Sequence, residues 1–182
     1  MSKQTDLFFI AVLPQKEIQQ EVTAFKNEAA AQFNSRHALR SPPHITLIPP
    51  FRWPSSNLES LTQCLAHFRF DLSSFSITLK NFDSFPPRVI FVDVETEPLL
   101  VQLQEQLAST MEQSLGIKHK GPFGFHPHMT IAFRDLEQNT FPHAWEYFSK
   151  KVYQRTFEVQ QLTLLVHRPS GWQENGTFPL AH

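Results

Sequence analysis

Cysteine is almost absent from this 182-residue chain, which carries only Cys64. A lone thiol excludes an internal disulfide and a thiolate zinc cluster, and suits a reducing compartment. Glycine is scarce as well, at five residues, and no glycine-rich phosphate loop, dinucleotide fingerprint or nucleophile elbow occurs. ATP-dependent ligation therefore has no support. Charge of one sign is lacking too: 16 Lys+Arg face 17 Asp+Glu, a formal −1. No bulk field would hold a long nucleic acid, so any contact with a polyanion must be local. The one early apolar stretch, Leu7 to Leu13, stops at Pro14 and is too short for a signal peptide or a membrane span. The chain reads as cytoplasmic, without a membrane or an obligate protein partner, and a monomer is its simplest state.

Apolar residues are plentiful. They make up 41% of the chain, with 18 Phe, enough to bury the core of one domain or of two small lobes. Their order repeats. A β-type run, Leu7–Leu13, leads into a helical pattern through Ile18, Val22, Phe25 and Ala29, then a strand around Pro43–Leu47. Ser55 and Ser56 offer a cap for a helix through Leu58, Leu61, Leu65 and Phe68, and Phe75–Leu79 alternates like a half-buried strand. The second half repeats this: strand Val89–Val94, helix through Leu100, Leu103, Leu107 and Met111, strand Pro127–Ile131, helix around Ala144, Tyr147 and Phe148, strand from Phe157 to Val166. The clearest loops are 83–88 and 116–127, and the first is the expected boundary between lobes. The pattern predicts an α+β fold: one duplicated domain over 1–182, antiparallel-rich sheets with outer helices in a bilobal, pseudo-twofold arrangement about a central cleft, with termini able to cross between lobes.

Both halves carry the same tetrapeptide, Pro-His-x-Thr, at Pro43-His44-Ile45-Thr46 and Pro127-His128-Met129-Thr130. His44 stands 35 positions after Phe9 and His128 stands 37 after Phe91. From the chain's composition such a match is expected on the order of 0.05 times, so a chance pair is a poor account. In a strand, residues i and i+2 share a face, which puts His44 with Thr46 and His128 with Thr130, while Ile45, Leu47, Met129 and Ile131 anchor the strands from behind. Two imidazoles facing each other suit phosphodiester chemistry near neutral pH: one takes a proton from the attacking group and the other gives one to the leaving oxygen. The threonine hydroxyls would donate to the non-bridging oxygens as charge builds there.

Paired His-x-Thr motifs in a duplicated α+β chain of this length resemble the two-histidine (2H) phosphoesterase superfamily, in its RNA 2',3'-cyclic phosphodiesterase or 2'-5' RNA ligase-like branch. The likeness spans nearly the whole chain, although only the two tetrapeptides His44-Ile45-Thr46-Leu47 and His128-Met129-Thr130-Ile131 are specific. It implies a metal-free and cofactor-free phosphoesterase acting on 2',3'-cyclic phosphates at RNA 3' ends or in small nucleotides, with reversible 2'-5' ligation in some members. His44 and His128 would be the acid–base pair, and Thr46 and Thr130 the phosphate contacts. A basic residue often follows a motif in the family, for which Arg52 and Arg134 are the candidates.

Lys118 to His126 mixes cations, glycines and rings. Lys118 or Lys120 would meet a phosphate and Phe123 or Phe125 a base, as single-stranded sites do, unless the phenylalanines turn into the core. Phe51, Trp53 and Trp172 are further stacking candidates, with core packing the default for most aromatics here. His37, His67, His143, His167 and His182 lack partners at telling spacing. Alternatives remain: a non-catalytic module that binds RNA ends or nucleotides, a phosphodiesterase for another cyclic or 2'-5' substrate, or a metallohydrolase using His126, His128 and His44 on zinc. No acidic residue adjoins either motif, which weighs against the metal.

Overall fold

The computed structural model describes residues 4–118 and 124–181. These form eight strands and four α-helices in the order β1 (Thr5–Val12), α1 (Lys16–Phe33), β2 (Ile45–Pro54), α2 (Leu58–His67), β3 (Phe75–Phe85), β4 (Val89–Val94), α3 (Pro98–Leu115), β5 (His128–Ala132), α4 (Phe141–Ser149), β6 (Gln154–Val159), β7 (Gln161–Arg168) and β8 (Gly171–Pro179). A short 3-10 turn, His37–Arg40, precedes β2.

Alternation decides how the strands lie. β1 buries Phe8, Ile10 and Val12 in the main core while Phe9 and Ala11 join a smaller cluster with Leu165 on its other face. β4 likewise sends Ile90, Val92 and Val94 to the main core. Two antiparallel four-stranded sheets result, ordered β2-β1-β7-β8 and β5-β4-β3-β6. β1 corresponds to β4 and β2 to β5, so the fold is the duplicated, pseudo-twofold α+β arrangement that the repeat predicts. The third place in each sheet is exchanged: β3, from the first half of the chain, sits beside β4, and β7 sits beside β1.

The helices tie the halves together. α1, which follows β1, packs on β5 of the other sheet, and α3, which follows β4, packs on β2. α1 stops where Asn34 turns left-handed at φ 55°. α3 starts at Pro98 behind Glu97, whose carboxylate accepts from the Leu99 amide at 3.0 Å, and ends at Gly116, φ 68°. Proline at the first position and glycine past the end are the usual signals for such bounds. β2 and β5, the motif strands, are edge strands of their sheets and touch each other.

The structure corrects several expected boundaries. Residues 83–88 are not a loop between lobes: β3 continues to Phe85 and hairpins into β4 within one sheet. The expected strand from Phe157 to Val166 divides at Gln160, where the chain leaves one sheet for the other. β8 escapes a hydrophobic reading because, as an edge strand, it keeps Gln173, Glu174 and Asn175 exposed. β2 runs through Pro49 and Pro50, which it tolerates because its register to β1 shifts there, between Phe8 and Ile10, so neither proline has a paired partner.

Gly171, in the β7–β8 hairpin, has φ 127°, and a Cβ there would run into the carbonyl oxygen of Arg40. Gly171→Ala is expected to cost about 2 kcal/mol or more, read as a lowered urea midpoint. An unchanged midpoint would mean that the Arg40 segment yields freely.

Candidate active site

The prolines before the two histidines set where the motif strands begin. Proline has no N–H for a ladder bond, and β2 starts one residue after His44 while β5 starts at His128 itself. Ile45, Leu47, Met129 and Ile131 are fully buried behind the strands. His44, Thr46, His128 and Thr130 are half-buried on the opposite side. Register fixes the face: Thr46 lies across from Ala11, Thr130 from Phe91 and His128 from Asp93.

Each imidazole is held the same way. His44 Nδ1 lies 2.6 Å from the Pro42 carbonyl oxygen and His128 Nδ1 lies 2.7 Å from that of His126. A carbonyl only accepts, so Nδ1 carries the hydrogen in both rings and Nε2 is left for chemistry. Each ring also rests on the matched phenylalanine of the neighbouring strand: Phe9 is 4.7 Å from His44 and Phe91 is 4.9 Å from His128, centroid to centroid. Trp172 stands edge-on to Phe9 at 4.6 Å, and Phe85 edge-on to His128 at 5.2 Å. The aromatic floor is thus duplicated along with the motif.

That floor acts on the protons. Burial pushes His44 down to about 4, with help from Lys26 and from His128, although the Pro42 carbonyl favours its charged form. The contribution from His128 brings that imidazole within electrostatic reach of His44. Burial lowers His128 as well; its carbonyl bond to His126 and the Asp93 carboxylate oppose that, while the His126 ring adds to it.

Two polar anchors hold the segment leading into His44. Lys26, 2% exposed on α1, donates from Nζ to the carbonyls of Ala38 at 3.0 Å and Ser41 at 2.9 Å. Asp135, just beyond β5, accepts from the Arg36 and His37 amides, both at 2.8 Å, and from the buried Ser35 hydroxyl at 3.0 Å. The loop after one motif therefore clamps the approach to the other. Neither anchor shows in the sequence, because its partners come together only in the fold.

The other expected contacts fare unevenly. Arg52 is exposed, six positions along β2 from Thr46, and pairs in register with Leu7. Arg134 is exposed just past β5, with φ 57° and its guanidinium 5.4 Å from the Phe133 ring centre. Phe125 packs against the main core instead of lining an open wall, as do Phe51 and Trp53; Lys120 and Phe123 lie outside the described residues. Of the stacking candidates among the described residues, Trp172 alone joins the floor beneath His44. His37 and His167, which have no partner at telling spacing in the sequence, also draw in: His37 packs 5.1 Å from the Phe133 ring and His167 lies 5.0 Å from Trp172. Among the described residues, no three or more His, Cys, Asp or Glu gather as a metal site requires, and no helix is long and apolar enough to cross a membrane.

Residues 14–171 match the model of the 2'-5' RNA ligase superfamily. A Geobacillus thermodenitrificans protein named "Putative phosphoesterase" is 35% identical over 129 residues, covering 70% of this chain and 68% of that one. A Bacillus cytotoxicus protein of similar name is 30% identical over 131 residues, covering 68% and 67%. In structure, E. coli LigT complexed with 3'-AMP superposes with a TM-score of 0.74 at 19% identity, covering 98% of this chain and all of that one. A Thermus thermophilus protein gives 0.66 at 21% identity, covering 96% and 97%.

Proposed function

The chain belongs to the 2'-5' RNA ligase superfamily of phosphoesterases, and from that premise we propose that it hydrolyses 2',3'-cyclic phosphates at RNA ends or in small nucleotides by two-histidine acid–base catalysis. The observation that carries the reading is the doubled cradle: two imidazoles, each tethered through Nδ1 to a carbonyl two residues back, each paired with a threonine and a phenylalanine, with neither Nε2 atom hydrogen-bonded among the described residues. LigT of the same fold has been crystallised with 3'-AMP, with ATP and with NADP+, in keeping with a nucleotide-sized ligand here.

The chemistry balances within the pair. His44, driven to about 4, is neutral at neutral pH and takes a proton from water on Nε2 as the water oxygen attacks phosphorus. His128 in its imidazolium form gives its Nε2 proton to the 3' oxygen as the P–O3' bond breaks, leaving a 2'-phosphate and a free 3'-hydroxyl. The Thr46 and Thr130 hydroxyls donate to the non-bridging oxygens, where the transition state concentrates charge. The hydrolysis needs no metal, and with the 5'-hydroxyl of a second chain in place of water the same steps would form a 2'-5' phosphodiester as the P–O3' bond breaks.

The test is turnover of a dinucleotide ending in a 2',3'-cyclic phosphate, in EDTA, with the position of the product phosphate read by NMR. A 2'-phosphate formed over many turnovers is expected. Saturable binding without product would replace this reading with a nucleotide-binding module, and activity abolished by the chelator would replace it with a metallohydrolase.

A further inference from the structure

Beside the motif strands lies a cavity of about 500 Å³ lined by Asn34, Arg36, Arg88, Arg134, Asp135, Leu136 and Glu137. Its three arginines come from three places in the chain: the segment before β2, the β3–β4 turn and the end of β5. All three are exposed, and among the described residues none forms an ion pair. The carboxylates do not cancel them: three guanidiniums face two carboxylates, Asp135 and Glu137, and the Asp135 oxygens are held by two backbone amides and the Ser35 hydroxyl.

The cavity adjoins the histidines through short links. The Arg88 amide donates at 3.3 Å to the carbonyl of Phe85, the residue whose ring stands against His128. Arg134 lies over Phe133, which the His37 ring meets edge-on, and Arg134, Arg40 and His167 all act electrostatically on His37. The second sheet beside His128 carries carboxylates. Asp93 is in register with His128 and Asp83 with Phe91 on the second sheet. Among the described residues, the arginine cavity gives a second phosphate a direction that leads away from these carboxylates.

We propose that Arg36, Arg88 and Arg134 form a second phosphate subsite, which receives the phosphate on the 5' side of the terminal ribose and so makes the enzyme a reader of oligonucleotide ends or 5'-phosphorylated cyclic nucleotides instead of cyclic mononucleotides. This rests on the reading given under Proposed function. Guanidinium is suited to the role because its planar fork meets phosphate oxygens two at a time.

The test compares affinity for three product-like probes, each ending in a 2'-phosphate: a nucleoside, the same nucleoside with a 5'-phosphate, and a dinucleotide with only the internal phosphodiester. Wild type is expected to bind the second and third at least tenfold more tightly than the first. The advantage should shrink severalfold or more in Arg36→Ala/Arg88→Ala, with affinity for the first probe unchanged. For the dinucleotide, the slope of log affinity against log salt should fall by about 0.7 for each phosphate that the variant no longer neutralises. Equal affinity for all three probes in wild type, or an advantage that survives the double variant, overturns the subsite. An advantage confined to the dinucleotide and insensitive to salt would point to base stacking and equally overturn it. Failure of turnover with the affinity gap intact would sink the catalytic reading and leave the subsite standing. Melting temperature and an Arg88→Lys variant, which keeps the charge and part of the advantage, separate the removal of a phosphate ligand from a misfolded chain.

Discussion

Replacing either His44 or His128 by alanine is expected to lower turnover of a cyclic-phosphate end by about 100- to 10,000-fold while the melting temperature moves by only a few degrees. Each ring is half-buried, and each strand keeps its fully buried anchors, Ile45 and Leu47 or Met129 and Ile131. The fold thus gives up the packing of one ring on Phe9 or Phe91 and little else. The double variant should be scarcely worse than the poorer single one, because one proton taken and one proton given belong to the same transition state. Full activity in either single variant would remove that histidine from the mechanism.

The same pair sets a pH profile. The base must be neutral and the acid protonated, so kcat/KM should rise as His44 sheds its proton near pH 4. It should fall again as His128 sheds its own, below the ordinary imidazole value of about 6.5 because burial lowers it. An acidic optimum between those limbs is expected. A plateau extending well above neutrality would show that His128 is not the proton donor in the free enzyme. His128→Asn should abolish the falling limb in whatever activity remains.

The motif faces were legible in the sequence because they depend on the shortest-range rule a strand has: alternation, with a proline marking where the ladder begins. His44 with Thr46 and His128 with Thr130 follow from that rule alone, and the anchors behind them are buried as it requires. Phe9 and Phe91 were half-legible, since their similar lead over the histidines implied matched positions but not that the imidazoles rest on them. What escaped was tertiary. Phe85 reaches His128 only because β3 runs past the expected loop into a hairpin, and Asp135 reaches Arg36 only because the two halves interlock. The exchange of β3 and β7 between sheets is equally silent, because antiparallel strands of similar composition fit either neighbour and long-range closure decides between them.

Lys26 makes the most consequential of these hidden contacts, and its removal should change how stability responds to pH. Its ammonium group is buried, and burial drives its pKa to about 7, against about 10.5 for an unfolded lysine. Below pH 7 both states hold the proton, and the cost of burying the charge is present in full. Between about 7 and 10.5 the unfolded chain holds a proton that the folded chain has shed, so this group makes stability rise with pH across that window, by a few kcal/mol at most. Lys26→Met keeps the packing and has nothing to titrate. Urea midpoints measured from pH 6 to 10 should therefore climb more in the wild type than in the variant, the other groups cancelling because both chains share them. The variant also strips the carbonyls of Ala38 and Ser41 of their donor, at roughly 1–3 kcal/mol each if they stay dry. It loosens the segment whose Pro42 carbonyl fixes the His44 tautomer. Turnover should fall through kcat, with KM little changed, since the loosened group acts on protons and not on affinity. Identical pH slopes in the two proteins would mean that Lys26 keeps its charge throughout, held by its two carbonyls, and that the segment before His44 rests on a permanent buried ammonium.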